Sequence, residues 1–325
     1  MTVSIIICTR NRADSLRETL ASLAKAEIPS DYEVEVLVVD NGSTDHTPEV
    51  VREIRLPRLH LRYLLESQPG QCFARNAGLR AATGQVILFT DDDVRVSPRW
   101  IEGMTRPILT GTADAVAGGV IFPPAVEQAF RATLRTGSVV RRGWFASSEE
   151  LDPVTPDRLI GANMAFGRHV LERVPEFETD LGPGALGFGD DTLFAWRLRE
   201  EGFRLSSALQ VTVEHHLDTT RLTPAALLTL AKKMGATTGY LDWHWKQVEV
   251  PLNSLRAAWL RVKTQLRRLI SKRTESLPEW EFVYAMSLAR REQFQRESQR
   301  PRKYRPSGAS SPQQHTLGGA AVAQT

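Results

Sequence analysis

Apolar and polar positions follow two alternating periods along the first part of the chain. Short runs rich in Val, Ile and Leu indicate buried strands, and the stretches between them repeat apolar residues every three or four positions, as amphipathic helices do. The predicted strands are Val3–Cys8, Val34–Val39, Leu59–Leu65, Val86–Thr90 and Ala113–Ile121. The predicted helices between them are Ala13–Ala26, Thr47–Ile54 and Gln71–Ala82. This alternation predicts an α/β fold with a doubly wound, mostly parallel sheet flanked by helices.

The pattern becomes less regular after residue 121. Gly161–Phe166 and Val211–Val213 are predicted to be strands, and a helix is predicted at Asp190–Glu201 behind a glycine-rich loop at 182–189. From Pro224 onwards the pattern is helical, which predicts a C-terminal helical extension. Residues 306–325 have no Lys, Arg, Asp or Glu and few large apolar residues, so we predict a disordered tail there.

Charge is unevenly distributed between the two ends of the chain. Residues 251–325 carry 14 Lys and Arg against 5 Glu, whereas the first 250 residues carry 27 bases against 33 acids. No recognition motif accompanies the basic residues, so we expect no nucleic-acid partner. A basic end suits an anionic surface or an anionic acceptor instead. No apolar run approaches the roughly 18 residues of a membrane span, and we expect a cytoplasmic protein.

Residues 252–273 combine an apolar stripe that includes Trp259 with seven Lys and Arg residues, mostly at the other positions. A basic amphipathic helix of this kind can lie in the surface of an anionic membrane. Alternatively, its apolar stripe packs against the rest of the chain and its charges are solvated. The first interpretation predicts peripheral contact with the inner face of the plasma membrane, and the sequence leaves both open.

Three consecutive aspartates, Asp91, Asp92 and Asp93, directly follow the predicted strand Val86–Thr90. Open α/β sheets bind ligands at the carboxyl ends of their strands, and adjacent carboxylates stay ionised more easily beside a counter-charge. A divalent cation such as Mn²⁺ or Mg²⁺ supplies that charge, because it prefers oxygen ligands. The alternative is a solvated acidic turn before a helix that begins near Pro98.

Further polar residues lie where neighbouring strands end. Thr9 and Arg10 follow the first strand and Asp40 ends the second, so all three are expected at the same edge of the sheet. Arg75, one turn into a predicted helix, can reach a base or phosphate from there, or it can be a solvated helix charge. No Gly-x-Gly-x-x-Gly motif or P-loop is present, which disfavours dinucleotide binding and ATP hydrolysis.

A second pair of acids, Asp190 and Asp191, begins the helix behind the glycine-rich loop. Carboxylates in a first turn are stabilised by the helix dipole, so capping is one explanation. The other is a general base covered by a loop that closes over substrate. His215 and His216 are adjacent at the end of the predicted strand Val211–Val213, and neighbours in a strand face opposite sides, so only one of them is expected in the site.

Taken in order, these motifs resemble those of family 2 glycosyltransferases of the bacterial type, which have the GT-A fold. The resemblance covers about residues 1–240, and the matching segments are Val3–Arg12, Val39–Asp45, Ala74–Gly78, Asp91–Asp93, Gly189–Asp191 and Trp196–Leu198. The resemblance implies a nucleotide-diphosphate sugar as donor, a UDP-, GDP- or dTDP-linked one, and transfer with inversion at the anomeric carbon.

The resemblance also implies a donor site with named residues. Thr9, Arg10, Asp40 and Arg75 would hold the nucleoside, and Asp92 would lie near the ribose.

The resemblance also implies which residues bind the metal and which residue acts as the catalytic base. The Asp-x-Asp motif falls on Asp91 and Asp93, with Asp93 as the direct ligand of Mn²⁺ or Mg²⁺, and His215 would complete the metal shell or touch the diphosphate. Asp191 matches the catalytic base that deprotonates the acceptor hydroxyl. Asp190 stands where the family often has Glu, which leaves its contact with the acceptor open.

With this resemblance the chain divides into four parts. Residues 1–120 form a nucleotide-sugar-binding half and 121–223 the acceptor-binding and catalytic half of the same domain, followed by a basic helical extension at 224–305 and the tail at 306–325. The expected function is a metal-dependent inverting glycosyltransferase that uses a glycan or lipid-linked acceptor in surface polysaccharide or glycolipid synthesis. A non-catalytic sugar-nucleotide-binding scaffold and a nucleotidyltransferase that forms sugar nucleotides are the alternatives.

Overall fold

The computed structural model describes residues 1–248, 262 and 276–304 of the chain. Its strands form one sheet in the order β3-β2-β1-β4-β7-β6-β8-β5. The strands are β1 Thr2–Thr9, β2 Glu33–Asp40, β3 Leu59–Leu65, β4 Val86–Asp91, β5 Val94–Val96, β6 Ala115–Ile121, β7 Asn163–Gly167 and β8 Leu205–His215. The helices are α1 Ala13–Leu23, α2 Thr47–Glu53, α3 Gln71–Ala81, α4 Trp100–Leu109, α5 Pro124–Arg135, α6 Asp190–Glu200, α7 Pro224–His244 and α8 Glu279–Glu297.

The N-terminal half of the sheet is parallel and carries the hydrophobic core. Strands β1, β2 and β4 are almost entirely buried, because helices cover both faces of the sheet, and this is why they read as continuous apolar runs. The register pairs Thr9 of β1 with Asp40 of β2, and Cys8 with Asp91 of β4. The polar ends of the three strands therefore lie side by side at one edge, as the sequence predicts.

The second half of the sheet differs from a simple parallel arrangement. Strand β7 lies antiparallel between β4 and β6, and β5 pairs antiparallel with the last residues of β8. Strand β8 begins at Leu205, six residues before the predicted start, because its first part pairs with β6 although it is poor in large apolar residues. These pairings are long-range, so the local pattern did not reveal them.

Three elements of the structure were missed or only indicated by the sequence pattern. Strand β5 has three residues, too few for an alternation to show. Helix α4 begins at Trp100, close to the predicted start near Pro98, and contains Pro107. Helix α5 lies in the stretch that appeared irregular, where few large apolar residues mark its buried face.

The predicted C-terminal helical extension is present as α7 and α8, which pack closely against each other. A Cβ atom at Gly235 would lie 2.1 Å from the carbonyl oxygen of Met286, and one at Gly239 would lie 2.3 Å from that of Arg290. Residues 252–273, apart from Val262, and the tail at 306–325 lie outside the described residues. Among the helices that are described, none combines the length and apolar character needed to cross a membrane.

Candidate active site

The carboxyl ends of the strands open into a cavity of about 780 Å³. Seven of the residues singled out in the sequence line this cavity, namely Thr9, Arg10, Asp91, Asp92, Asp93, Asp191 and His215. Helix α7 forms part of its wall through Lys233, Met234, Thr237, Thr238 and Leu241. The site is therefore built from both halves of the sheet and from the C-terminal helices.

Asp92 is held by hydrogen bonds on both of its carboxylate oxygens. Thr9 Oγ1 donates to Oδ2 at 2.7 Å, and Arg12 Nη1 donates to Oδ1 at 2.9 Å. Burial of the carboxylate raises the pKa of Asp92 to about 7, although Arg12 opposes the shift. Thr9 thus acts on the site by orienting Asp92 at the base of the cavity.

Asp91, Asp93 and His215 form a compact group of ligand atoms. One ligand atom from each residue lies within 4.8 Å of the other two. His215 Nε2 lies 3.2 Å from Asp93 Oδ1, and Arg12 Nη1 donates to Asp93 Oδ2 at 2.9 Å. Burial opposes ionisation of Asp93, but His215 and Arg12 together hold its pKa well below its usual range. The residues thus bring two carboxylates and an imidazole to one point.

This group passes a structural test for a divalent cation. Asp93 Oδ1 is buried and accepts no hydrogen bond of good geometry within the part of the chain that the structure describes, although His215 Nε2 lies 3.2 Å from it. A buried carboxylate oxygen without a partner is costly unless a ligand satisfies it. Two carboxylates with one imidazole form a donor set that Mn²⁺ accepts readily. The geometry favours His215 over His216, whose Nε2 instead lies 2.7 Å from Glu214 Oε1.

Asp191 occupies the other side of the cavity, in the first turn of α6. The backbone N–H of Gly161 donates to its Oδ2 at 3.0 Å, and that of Thr192 donates to Oδ1 at 2.7 Å. Desolvation and the neighbouring Asp190 raise the pKa of Asp191 to about 6, while Arg75 and the two N–H groups oppose the shift. A partly buried carboxylate with this pKa is suited to accept a proton near neutral pH.

Asp190 and Arg75 form a buried ion pair behind the cavity wall. Arg75 Nη1 donates to Asp190 Oδ2, and Arg75 Nη2 lies 3.9 Å from Asp91 Oδ1. The guanidinium also packs over the rings of Phe89 and Phe177. The solvated-charge interpretation of Arg75 is wrong, because its side chain is 5% exposed. The pair links the triplet of acids on β4 to the beginning of α6.

Asp40 is also set back from the cavity. It is fully buried; the N–H of Ser43 donates to its Oδ1 at 2.8 Å, and the hydroxyl of Tyr63 donates to its Oδ2 at 2.8 Å. The cavity is lined at this point by Arg10, which is exposed, and by Asn41. Asn41 in turn donates to the carbonyl oxygens of Glu66 and Gln68 and accepts from the N–H of Gly70. Asp40 therefore supports the loops around this part of the site.

The glycine-rich loop at 182–189 packs between α3 and α7. The carbonyl oxygen of Pro183 accepts from the N–H of Gln71, and a Cβ at Gly184 would lie 2.8 Å from the Cα of Gly70. Gly189 has φ +82°, and a Cβ there would lie 2.7 Å from Thr237 Cγ2. Glycine is required at both places because the backbone approaches its neighbours so closely. The loop thereby sets the position of α6 and Asp191.

Several cavity residues were not found by sequence reasoning. Arg12 bridges two of the acids, and Arg221 lies over the ring of Phe145 without a hydrogen bond or ion pair to its side chain among the described residues. Trp144 and Lys233 line the same cavity from distant parts of the chain. The sequence has 41 Lys and Arg residues, so a single basic residue does not stand out in the sequence as part of a site. Only the fold brings these four together.

Solved structures with the same architecture are glycosyltransferases of the GT-A fold. A mannosyltransferase from Pyrobaculum calidifontis, solved with GDP-Man and Mn²⁺, superposes with a TM-score of 0.58 at 21% identity, over 90% of this chain and 86% of that one. TarS 1–349 from S. aureus in complex with UDP superposes with a TM-score of 0.51 at 19% identity, over 92% of each chain. At these identities the comparison establishes the GT-A fold.

The chain belongs to glycosyl transferase family 2, because the model of that family matches residues 4–174. Glycosyltransferase AglE of Haloferax volcanii is 35% identical over 121 residues, which are 37% of this chain and 40% of AglE. Chondroitin synthase of Escherichia coli is 28% identical over 228 residues, 62% of this chain and 32% of the synthase. The chain thus spans less than half the length of these two relatives.

Proposed function

We propose that this protein is a metal-dependent inverting glycosyltransferase that moves a sugar from a nucleotide-diphosphate sugar to an acceptor hydroxyl. The observation that supports this most is the arrangement of one cavity, with a cation-binding group on one side and a carboxylate of raised pKa on the other. Transfer requires stabilisation of a leaving diphosphate and a base for the incoming hydroxyl. Both requirements are met by side chains that face the same space.

Asp91, Asp93 and His215 would hold the cation, which is Mn²⁺ or Mg²⁺. Asp93 Oδ1 is buried beside His215 Nε2 and accepts no hydrogen bond of good geometry among the described residues, which supports the role of Asp93 as a direct ligand. When bound, a divalent cation offsets the negative charge that develops on the leaving diphosphate. Arg12 keeps Asp93 ionised and oriented, since its guanidinium pairs with the other carboxylate oxygen.

Asp191 would act as the general base. Its carboxylate takes the proton from the acceptor hydroxyl as the hydroxyl oxygen forms its bond to the anomeric carbon, and the bond from that carbon to the diphosphate oxygen breaks. Attack from the side opposite the diphosphate inverts the anomeric configuration. Asp190 and Arg75 would be positioning residues in this account, because their buried pair fixes the first turn of α6.

The donor nucleotide would bind beside the ends of β1 and β2. Arg10 and Asn41 face this part of the cavity, and Asp92 is close enough to the cation site to contact the ribose. Thr9 would act by holding Asp92, and Asp40 by holding the loop at Ser43. The solved relatives support a nucleotide-sugar donor, since they contain GDP-Man with Mn²⁺ in one case and UDP-GlcNAc in the other.

The proposed setting is the synthesis of a surface polysaccharide or glycolipid in the cytoplasm. The acceptor is a glycan or a lipid-linked glycan, and residues 252–273 would provide peripheral contact with an anionic membrane. The family match argues against a nucleotidyltransferase. A non-catalytic scaffold would not need Asp91, Asp93 and Asp191, and all three line the cavity.

Turnover of candidate donors tests this proposal. The protein would be incubated with UDP-, GDP- and dTDP-linked sugars and Mn²⁺, with and without a mixture of glycan acceptors, and the release of nucleoside diphosphate measured. We expect release from one nucleotide class that stops when EDTA removes the metal. Binding of nucleotide sugars without release under any condition would instead favour the scaffold.

A further inference from the structure

A second groove, of about 650 Å³, lies between α7 and α8 and meets the main cavity at one residue, Lys233. Lys233 lines both spaces. The glycine-rich loop separates them, since Ala185 and Leu186 line the groove and Gly187 lines the main cavity. The groove therefore adjoins the main cavity at the glycine-rich loop, which leads into α6 and Asp191.

The groove has an apolar floor and basic edges. Its apolar lining consists of Leu228 and Ala236 from α7, Ala285, Leu288 and Ala289 from α8, and Leu186 from the loop. Its basic residues are Lys232, Lys233 and Arg296, and the acidic residue among its described lining is Glu292. An apolar surface with an excess of positive charge at its edge complements a ligand that is both apolar and anionic.

Lys232 and Lys233 have ammonium groups available for such a ligand. Within the described part of the chain neither makes an ion pair or a side-chain hydrogen bond, and both are exposed. The stem of Lys233 packs closely against the loop, since a Cβ at Gly187 would lie 2.8 Å from Lys233 Cδ. Lys233 therefore lies at the junction of the two spaces.

We propose that this junction binds an anionic group of the acceptor and that the groove takes an apolar chain attached to it. The proposal rests on the proposed glycosyl transfer and specifies its acceptor as an amphipathic anion, in which a phosphate or a carboxylate joins the glycan to the chain. The accepting sugar lies in the main cavity beside Asp191, the anionic link at Lys232 and Lys233, and the apolar chain along the floor between α7 and α8.

Binding of a simple amphipathic anion tests this assignment. Decyl phosphate, below its micelle concentration, would be titrated calorimetrically into the full chain with Mn²⁺ and nucleoside diphosphate present, so that the donor site is filled. Inorganic phosphate, decanoate and decyl maltoside would be titrated in parallel. We expect decyl phosphate or decanoate to bind at least about tenfold more tightly than inorganic phosphate or the uncharged maltoside, because the site uses charge and apolar contact together.

Variants of the junction separate a specific site from general adsorption. The double variant Lys232→Gln with Lys233→Gln should weaken binding of the preferred anion by about tenfold or more, since it removes two cations from the groove edge. Lys25→Gln, an exposed lysine at the end of α1, is the matched control and should bind as the wild type does. Comparison of decyl phosphate with decanoate identifies the anionic group.

Three results would overturn the assignment: no binding of either anionic probe, equal binding of decyl maltoside or inorganic phosphate, or unchanged binding in the double variant. The thermal shift caused by nucleoside diphosphate with Mn²⁺ is recorded on the same samples. If that shift persists while the anionic probes fail, only the acceptor assignment is rejected. If the nucleotide-dependent shift is absent while the anionic probes bind, the proposed glycosyl transfer is rejected and the assignment of the groove is kept.

Discussion

At the residue scale, the site depends on carboxylates that occupy different environments. Asp93 pairs with Arg12 and His215, which keep it ionised, whereas Asp191 has a like charge beside it and a raised pKa. When their environments separate the pKa values of two neighbouring acids, the two acids can serve different functions in a reaction. The acid that stays ionised is suited to hold a cation, and the acid with the higher pKa is suited to take a proton.

The pKa of Asp191 predicts how transfer depends on pH. The base must be ionised to accept a proton, so turnover should be constant above pH 7 and fall as the pH drops through about 6. Asp191→Asn should lower turnover by about 10²-fold or more while nucleotide binding is kept. A pH profile of turnover, with Asp14→Asn as an exposed control, checks this. Wild-type turnover in Asp191→Asn would reject the assignment.

Arg221 provides a second prediction at this scale. Its guanidinium lines the cavity and has no anionic partner among the described residues, so we expect it to contact the leaving diphosphate. Arg221→Ala should weaken binding of nucleoside diphosphate by about tenfold or more, and Arg221→Lys should restore part of it. Nucleoside monophosphates and unphosphorylated nucleosides should be affected less. Equal losses for nucleoside and diphosphate, measured by calorimetry, would contradict this contact.

The sequence identified the acidic residues of the site more readily than its basic residues. Asp91 to Asp93 stand together at a strand end, and Asp191 follows a glycine-rich loop, so their neighbours in the chain mark them. Arg12 lies inside the matched segment Val3–Arg12 but received no role there, and Arg221 and Lys233 reach the cavity through the fold. The family resemblance placed Arg75 in the donor site, whereas in the structure its buried side chain pairs with Asp190.

At the element scale, the N-terminal strands were predicted closely, whereas β5 was missed and the bounds of β7 and β8 were predicted only in part. β1, β2 and β4 are buried on both faces and so appear as apolar runs. β7 is short and antiparallel, and much of β8 is only partly buried, so pairing with distant strands determines them. Such pairing leaves little trace in the local sequence.

The close packing of α7 on α8 leads to a prediction about stability. Gly235 allows the two helices to approach, since a Cβ there would overlap the carbonyl oxygen of Met286. Gly235→Ala should therefore lower the free energy of unfolding by more than about 2 kcal/mol, although alanine is the better helix former. Thr229→Ala, at an exposed position of α7, is the control and should have little effect. Denaturant unfolding measures both, and equal stability of the two variants would show that the approach is not tight.

At the scale of the whole molecule, the site joins parts of the chain that the sequence presents as separate. Residues before 100 form the side of the cavity that is proposed to bind nucleotide, Asp191 comes from α6, and one wall comes from α7. The segment predicted as an extension after residue 224 thus helps to form the cavity. The last described residues return to the same region, where Lys303 and Tyr304 bind Glu178 ahead of the glycine-rich loop.

We propose above all that Asp91, Asp93 and His215 bind a divalent cation together with a nucleoside diphosphate. The most direct test is titration of Mn²⁺ into the protein with and without the nucleoside diphosphate, followed by electron paramagnetic resonance of the free ion. We predict a single Mn²⁺ bound in the presence of nucleotide, and loss of that binding in Asp93→Asn but not in the control Asp14→Asn. Equal binding of Mn²⁺ by the wild type and Asp93→Asn would contradict the account.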